Sequence, residues 1–156
     1  MKPNNTKPYI LVSACLLGAP SRYDGQAMTN NFALQLVNFF NIIPICPEAD
    51  SGLSTPRDPS EILDGKVISS HGKNVSEYFA RGAKIALEQA KKYNVKLAIL
   101  KEKSPSCGFK TVYDGTFSGK LIKGQGMTTR LLLANNIKVI PDTCLEEFIK
   151  SLHSQD

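Results

Sequence analysis

The chain has no tryptophan and only two histidines among its 156 residues. No apolar run approaches the roughly 20 residues that cross a bilayer as a helix. Met1 to Lys7 is polar and lacks the apolar centre of a signal peptide. These absences set the expectation of a cytoplasmic protein with no membrane partner. The five tyrosines do not interleave with basic residues, and the +5 net charge comes from scattered lysines. Dedicated nucleic-acid binding is therefore not expected. Four cysteines are present, Cys15, Cys46, Cys107 and Cys144, with no C-x-x-C pair. That excludes local zinc ribbons and ferredoxin-type runs. No Gly-Lys-Ser/Thr occurs, and Gly124-Gln125-Gly126 lacks the third glycine of a dinucleotide fingerprint. Without an export signal, the thiols argue for metal or catalysis rather than disulfides. Any shared site must be assembled by the fold.

What is present reads as an α/β protein. Length and an ordinary balance of 42% apolar and 21% charged residues suit one soluble domain. The expected division is a flexible lead over residues 1–8 and one domain over 9–153. Apolar runs at 9–14, 42–45, 95–100 and 137–140 read as strands. Pro44 inside the second suits an edge or the start of pairing. Helical periods follow at about 30–40, 74–93, 127–135 and 145–152, the first capped from Thr29-Asn30-Asn31 and the last by a capping box at Thr143–Glu146. Strands alternating with helices imply right-handed crossovers and a mainly parallel sheet of about four strands. This is a doubly wound, Rossmann-like arrangement. Residues 49–72 read as a long functional loop in which only Val67-Ile68 resembles a strand, and 111–117 as a hairpin turning at Asp114-Gly115.

Cys15, Cys46 and Cys107 each follow a strand, so all three belong to the carboxyl edge, where open α/β sheets bind ligands. Three soft thiolates with an open fourth position suit zinc or an iron–sulfur cluster. Zinc with three cysteines usually takes a histidine, but His71 falls in the long loop and His153 in the C-terminal tail, both expected at the surface. A cluster with one open iron is the better choice, with zinc as the alternative. Cys144, in the first turn of the final helix, is expected to serve packing. Glu48, Ser104 and Ser106 lie beside the thiols, with Lys101 and Glu102 just upstream, as groups able to hold and move protons. Arg57 and the backbone of Gly124 and Gly126 are candidates for an anion or substrate. Ser13 and Ser106 complete that candidate set.

The blocks Val12–Gly18, Arg22-Tyr23-Asp24-Gly25, Cys46-Pro47-Glu48, Gly52–Arg57, Lys101–Gly108 and Tyr113–Phe117 cover nearly the whole chain in order. Together they resemble a bacterial domain-of-unknown-function family, DUF 523, which includes thiouracil desulfurases. The resemblance implies a [4Fe-4S] cluster on Cys15, Cys46 and Cys107, with the fourth iron free for substrate sulfur. It implies proton transfer by Glu48 and Ser104, and a non-redox conversion of a thiolated pyrimidine that releases sulfide. By the same resemblance, many relatives carry a further cysteine just before the Arg-Tyr-Asp-Gly block, where this chain has Ser21, which agrees with three ligands rather than four. Two other readings stand beside it: a non-catalytic iron–sulfur or metal-binding module, and a metal-free enzyme with Cys107 as nucleophile. Nothing in the pattern signals an oligomeric state.

Overall fold

The computed structural model describes residues 6–154. At its centre lie strands β1 (Tyr9–Ser13) and β5 (Leu97–Leu100), with β2 (Asn41–Ile45) on one edge and β8 (Lys138–Pro141) on the other. Every pairing is parallel, from Tyr9 opposite Asn41 to Ser13 opposite Ile45, and from Leu97 opposite Lys138 to Leu100 opposite Pro141. Pro44 is accommodated because β2 is an edge strand.

Alternation along the strands divides the core into two layers. Leu11, Ile45, Ala98, Leu100 and Val139 face one side, packed on α3 (Ser76–Lys92) through Ala86, Leu87 and Ala90 and on α4 (Met127–Ala134) through Leu132. Ile10, Val12 and Ile99 face the other, packed on α1 (Asn31–Leu34) and α5 (Leu145–His153) through Ala33, Leu145 and Ile149. The sheet is thus covered on both faces. The chain leaves β1 toward β2 on one side and later returns to β5 on the other. The strand order therefore reverses between β1 and β5, and a crevice opens at their carboxyl ends.

Several local expectations are corrected. Asn30 does cap α1, its Oδ1 accepting from the amides of Phe32 and Ala33 at 2.9 and 3.2 Å. After one α-helical turn, however, the segment tightens to a 3-10 helix over Gln35–Asn38 and ends before Phe40. Residues 49–72 are not an open loop. They hold the end of α2 (Pro47–Asp50) and a hairpin of β3 (Ser60–Leu63) and β4 (Lys66–Ser69). Its two-residue turn is Asp64-Gly65, both at positive φ, as a type I′ turn demands. The other hairpin, β6 (Thr111–Tyr113) with β7 (Leu121–Lys123), is joined by the whole of 114–120 rather than by a tight Asp114-Gly115 turn. The capping box at Thr143 does not form, because a 3-10 turn occupies Asp142–Cys144 and α5 starts without a side-chain cap. Of the expected lead, residues 1–5 lie outside the described residues. Lys7 and Pro8 are tied down, their carbonyls accepting from Asn41 at 2.9 Å each. Among the described residues no helix is long and apolar enough to cross a membrane.

Candidate active site

Cys15 lies in the 3-10 turn Ala14–Leu17 that follows β1, Cys46 directly follows β2, and Cys107 sits in the loop after β5. All three line one cavity of about 400 Å³, together with Ser13, Glu48, Arg57, Ser104 and Ser106. Gly18, at φ +104, ends the first turn in the left-handed conformation that releases the chain around the cavity.

The Cys107 loop is shaped by a carboxylate. Glu102 is buried, and its Oε1 accepts from the amides of Phe109 at 2.7 Å and Lys110 at 3.1 Å, with Lys103 and Thr111 at 3.2 and 3.4 Å. These bonds bend the chain back on itself between 102 and 111. From behind, the start of α4 closes the loop: the amides of Gly126, Met127 and Thr128 donate to the carbonyls of Gly108, Pro105 and Ser106, each at 2.9 Å. Gly126 is required for that approach, since a Cβ there would lie 2.3 Å from the Ser106 carbonyl carbon.

The proton-bearing groups form one directed chain. Ser106 Oγ donates to Glu48 Oε2 at 2.9 Å and lies 2.8 Å from Ser104 Oγ. A hydroxyl has one proton, and an ionised carboxylate can only accept. Ser106 gives its proton to Glu48, so Ser104 must be the donor to Ser106. The lone pairs of Ser104 Oγ are engaged by the amides of Ser106 at 3.0 Å and Cys107 at 2.9 Å. On its far side Glu48 is held by Arg57, whose Nε donates to Oε1 at 3.1 Å in a largely buried ion pair. Arg57 is in turn fixed by the Ser21 carbonyl at 2.9 Å and Thr55 Oγ1 at 2.8 Å. It is therefore anchored to protein rather than left free as an anion receptor.

Electrostatics tie the thiols together. Burial pushes the Cys15 thiol up, the nearby Cys46 adds to this, and Lys101 and Arg22 oppose it. Burial pushes Cys107 up to about 12, against the pull of the Ser106 and Ser13 hydroxyls. Ser13 is itself buried, its Oγ accepting from the Lys101 amide at 3.0 Å.

Other candidates fall elsewhere. The amides of Gly124 and Gly126 are spent on the carbonyls of Lys110 and Gly108, and neither glycine lines the cavity, which corrects the reading of an anion loop there. Cys144 is also apart from it, its Sγ 3.6 Å from Lys110 Nζ. His71 is exposed beside Asp58, and His153 packs edge-on against Phe39. Among the described residues no three His, Cys, Asp or Glu side chains converge on one point as a single zinc ion requires. Sequence reasoning gave no role to Tyr23, Met28, Glu61, Tyr113 and Phe117, which also line the cavity. Tyr23, Tyr113 and Phe117 carry a signal through the Arg-Tyr-Asp-Gly and Tyr-Asp-Gly-Thr-Phe blocks, whereas Met28 and Glu61 lie outside both.

Comparison with known proteins matches this geometry to relatives. A curated protein of Bacillus subtilis (strain 168), the uncharacterized protein YbbK, is 39% identical over 150 residues, covering 90% of this chain and 99% of its own. Among solved structures, the [4Fe-4S]-dependent thiouracil desulfidase TudS superposes with a TM-score of 0.87 at 40% identity, covering 94% of this chain and 99% of that one. The profile of the 2-thiouracil desulfurase family matches residues 10–143, a span that runs from β1 to the turn after β8 and includes all three rim cysteines. The chain belongs to the 2-thiouracil desulfurase family.

Proposed function

We propose that this protein is a thiouracil desulfurase that replaces the sulfur of a thiolated pyrimidine by the oxygen of water, with residues 9–153 acting as one unit. The observation that carries the reading is that three thiols and the Ser104–Ser106–Glu48 chain share one cavity. Cys15, Cys46 and Cys107 would hold a [4Fe-4S] cluster. The donor set fits it: three soft sulfurs on a rigid sheet edge, with Cys46 close enough to push the Cys15 and Cys107 thiols up, and with Lys101 and Arg22 near Cys15 to offset the added negative charge. When bound, the cluster supplies an open iron, a soft Lewis acid and sulfur acceptor.

The chain's own residues manage the protons. The overall change, C=S plus water giving C=O plus hydrogen sulfide, needs no electrons but moves protons from water to the departing sulfur. Glu48, aimed by Arg57 and Ser106, takes a proton from the attacking water. Ser104 turns its hydroxyl from Ser106 toward the substrate and gives one up to the sulfur or the ring. Two amides already donate to Ser104 Oγ, which favours the oxygen carrying negative charge as its proton leaves. Ser106, its hydroxyl freed from Glu48 once that carboxylate is protonated, turns and reprotonates Ser104 across 2.8 Å, and protonated Glu48 then reprotonates Ser106 across 2.9 Å. One proton enters at Glu48 and one leaves at Ser104, and the chain returns to its starting polarity. Cys107 has no free thiolate near neutral pH in this environment, which disfavours a metal-free nucleophile.

The test is anaerobic reconstitution followed by incubation with 2-thiouracil, measuring uracil and sulfide together with bound iron. Wild type should form both products in equal amounts. Glu48→Gln and Ser106→Ala should keep their iron and lose activity by about 10²-fold or more. Cys107→Ser should lose iron as well. Wild-type protein with a full complement of iron and no turnover would overturn the reading, and an active Glu48→Gln protein would overturn the proton route.

A further inference from the structure

Four large side chains at the cavity, Tyr23, Met28, Tyr113 and Phe117, belong to none of the three hydrophobic clusters that make the core. Tyr23, Met28 and Phe117 leave 39, 41 and 39% of their surface exposed. Single exposed apolar residues are ordinary, but three around one cavity form a surface that folding alone does not use.

Phe117 is also held in place by construction. Its backbone sits at φ +56, a region a bulky residue rarely enters. The Phe117 and Gly115 amides both donate to Glu61 Oε1, at 3.2 and 3.0 Å. Glu61 lies on β3, only 9% of its surface is exposed, and it lines the same cavity. Gly115 is pressed onto that strand, where a Cβ would stand 2.9 Å from the Ile62 carbonyl oxygen. Asp114 Oδ1 accepts from the Thr116 amide at 2.9 Å and tightens the turn further. A strained residue pinned from two sides beside a cavity is the pattern of a ligand clamp. Its ring is apolar, part-exposed and lines the cavity, which suits a flat ring as occupant.

We propose that Phe117, which shares the cavity with Tyr23 and Met28, is the wall on which the planar ring of the pyrimidine base stacks, and that Glu61 is the positioning residue that holds this wall in the cavity of the three cysteines. This rests on the desulfurase reading for the identity of the ring. Recognition is then addressed to the base itself. Because the wall binds ring rather than sulfur, it holds substrate and product alike. Uniform binding of that kind acts on KM and leaves kcat largely untouched.

The experiment compares wild type, Phe117→Ala, Phe117→Tyr, Glu61→Ala and Glu61→Gln as anaerobically reconstituted full-length chains. It reads KM and kcat for 2-thiouracil, bound iron, and the Kd of uracil, which cannot turn over. Phe117→Ala should raise KM and the uracil Kd together, on the order of tenfold, with iron and kcat within about threefold of wild type. Phe117→Tyr should restore both. Glu61→Ala should reproduce the Phe117→Ala pattern, and Glu61→Gln, which keeps an acceptor oxygen, should lie nearer wild type. An unchanged KM and uracil Kd in Phe117→Ala would overturn the proposal, as would a loss confined to kcat. Wild type that binds uracil through Phe117 but desulfurates nothing would sink the enzymatic reading and leave the ring site standing.

Discussion

Replacing Gly126 by alanine isolates the contact between α4 and the Cys107 loop. Gly126 has φ −70 and ψ 163, values any residue adopts, so the substitution adds no backbone strain. Its effect is steric. The new Cβ would stand 2.3 Å from the Ser106 carbonyl carbon, 2.4 Å from its oxygen and 2.7 Å from the Cys107 nitrogen, whereas ordinary contact begins at 3.4 Å. Helix and loop must therefore separate by roughly 1 Å, since backbone atoms cannot rotate away as a side chain can. Overpacking of this kind costs about 1–3 kcal/mol. In a chain of this size each kcal/mol lowers Tm by about 2–4 °C. Ser104, Ser106 and Cys107 move with the loop, and a misplacement of about 1 Å at reacting groups can cost on the order of 10²-fold in rate. Thermal unfolding, iron content and anaerobic 2-thiouracil turnover should be measured together. Gly124→Ala is the control, because its Cβ would meet only a Val112 methyl at 3.0 Å. Wild-type Tm and kcat in Gly126→Ala would refute the claim that this approach positions the site.

At the other wall, Gly82→Ala on α3 would put a Cβ 2.1 Å from the Pro47 carbonyl oxygen. It should displace α2 with Glu48 and lower kcat more than iron content, read by the same assays. Glu102→Ala would strip an acceptor from four amides, and each buried amide left bare costs about 1–3 kcal/mol. The loop should open, so Cys107 in the metal-free chain should react with a thiol reagent at neutral pH far faster than wild-type Cys107, which burial protects. The pH response follows from Cys107 itself. Its folded-state pKa is raised to about 12 from an ordinary 9.0, so its contribution to stability is fully present below pH 9 and is lost as pH rises toward 12. Denaturant melts of the metal-free chain should show wild type losing more stability than Cys107→Ala across that interval, by a few kcal/mol. A parallel decline in the two proteins would contradict it. Because thiolates must form before they bind metal, cluster assembly should also become more favourable as pH rises.

How much of this was legible in the sequence depends on the range of the interaction concerned. The continuous apolar runs Ile10-Leu11-Val12 and Leu97–Leu100 report buried strands directly, and a cysteine in the segment that follows each run then lies toward the carboxyl edge. The bond between Ser106 and Glu48 joins residues 58 apart, and the direction of its proton follows only once both neighbours of Ser106 are known. In the sequence Glu102 reads as one more acid–base group near the thiols, and Glu61 carries no signal. Their roles emerge from amides that the returning chain brings to them. The same logic explains why Gly124-Gln125-Gly126 before a helix misled. Glycines ahead of a helix bind anions when the first amides are left over. Here the carbonyls of Lys110, Gly108, Pro105 and Ser106 have taken them. The helix start thus serves the Cys107 loop as its scaffold, and the glycine that suggests a phosphate site is there to let two backbones touch.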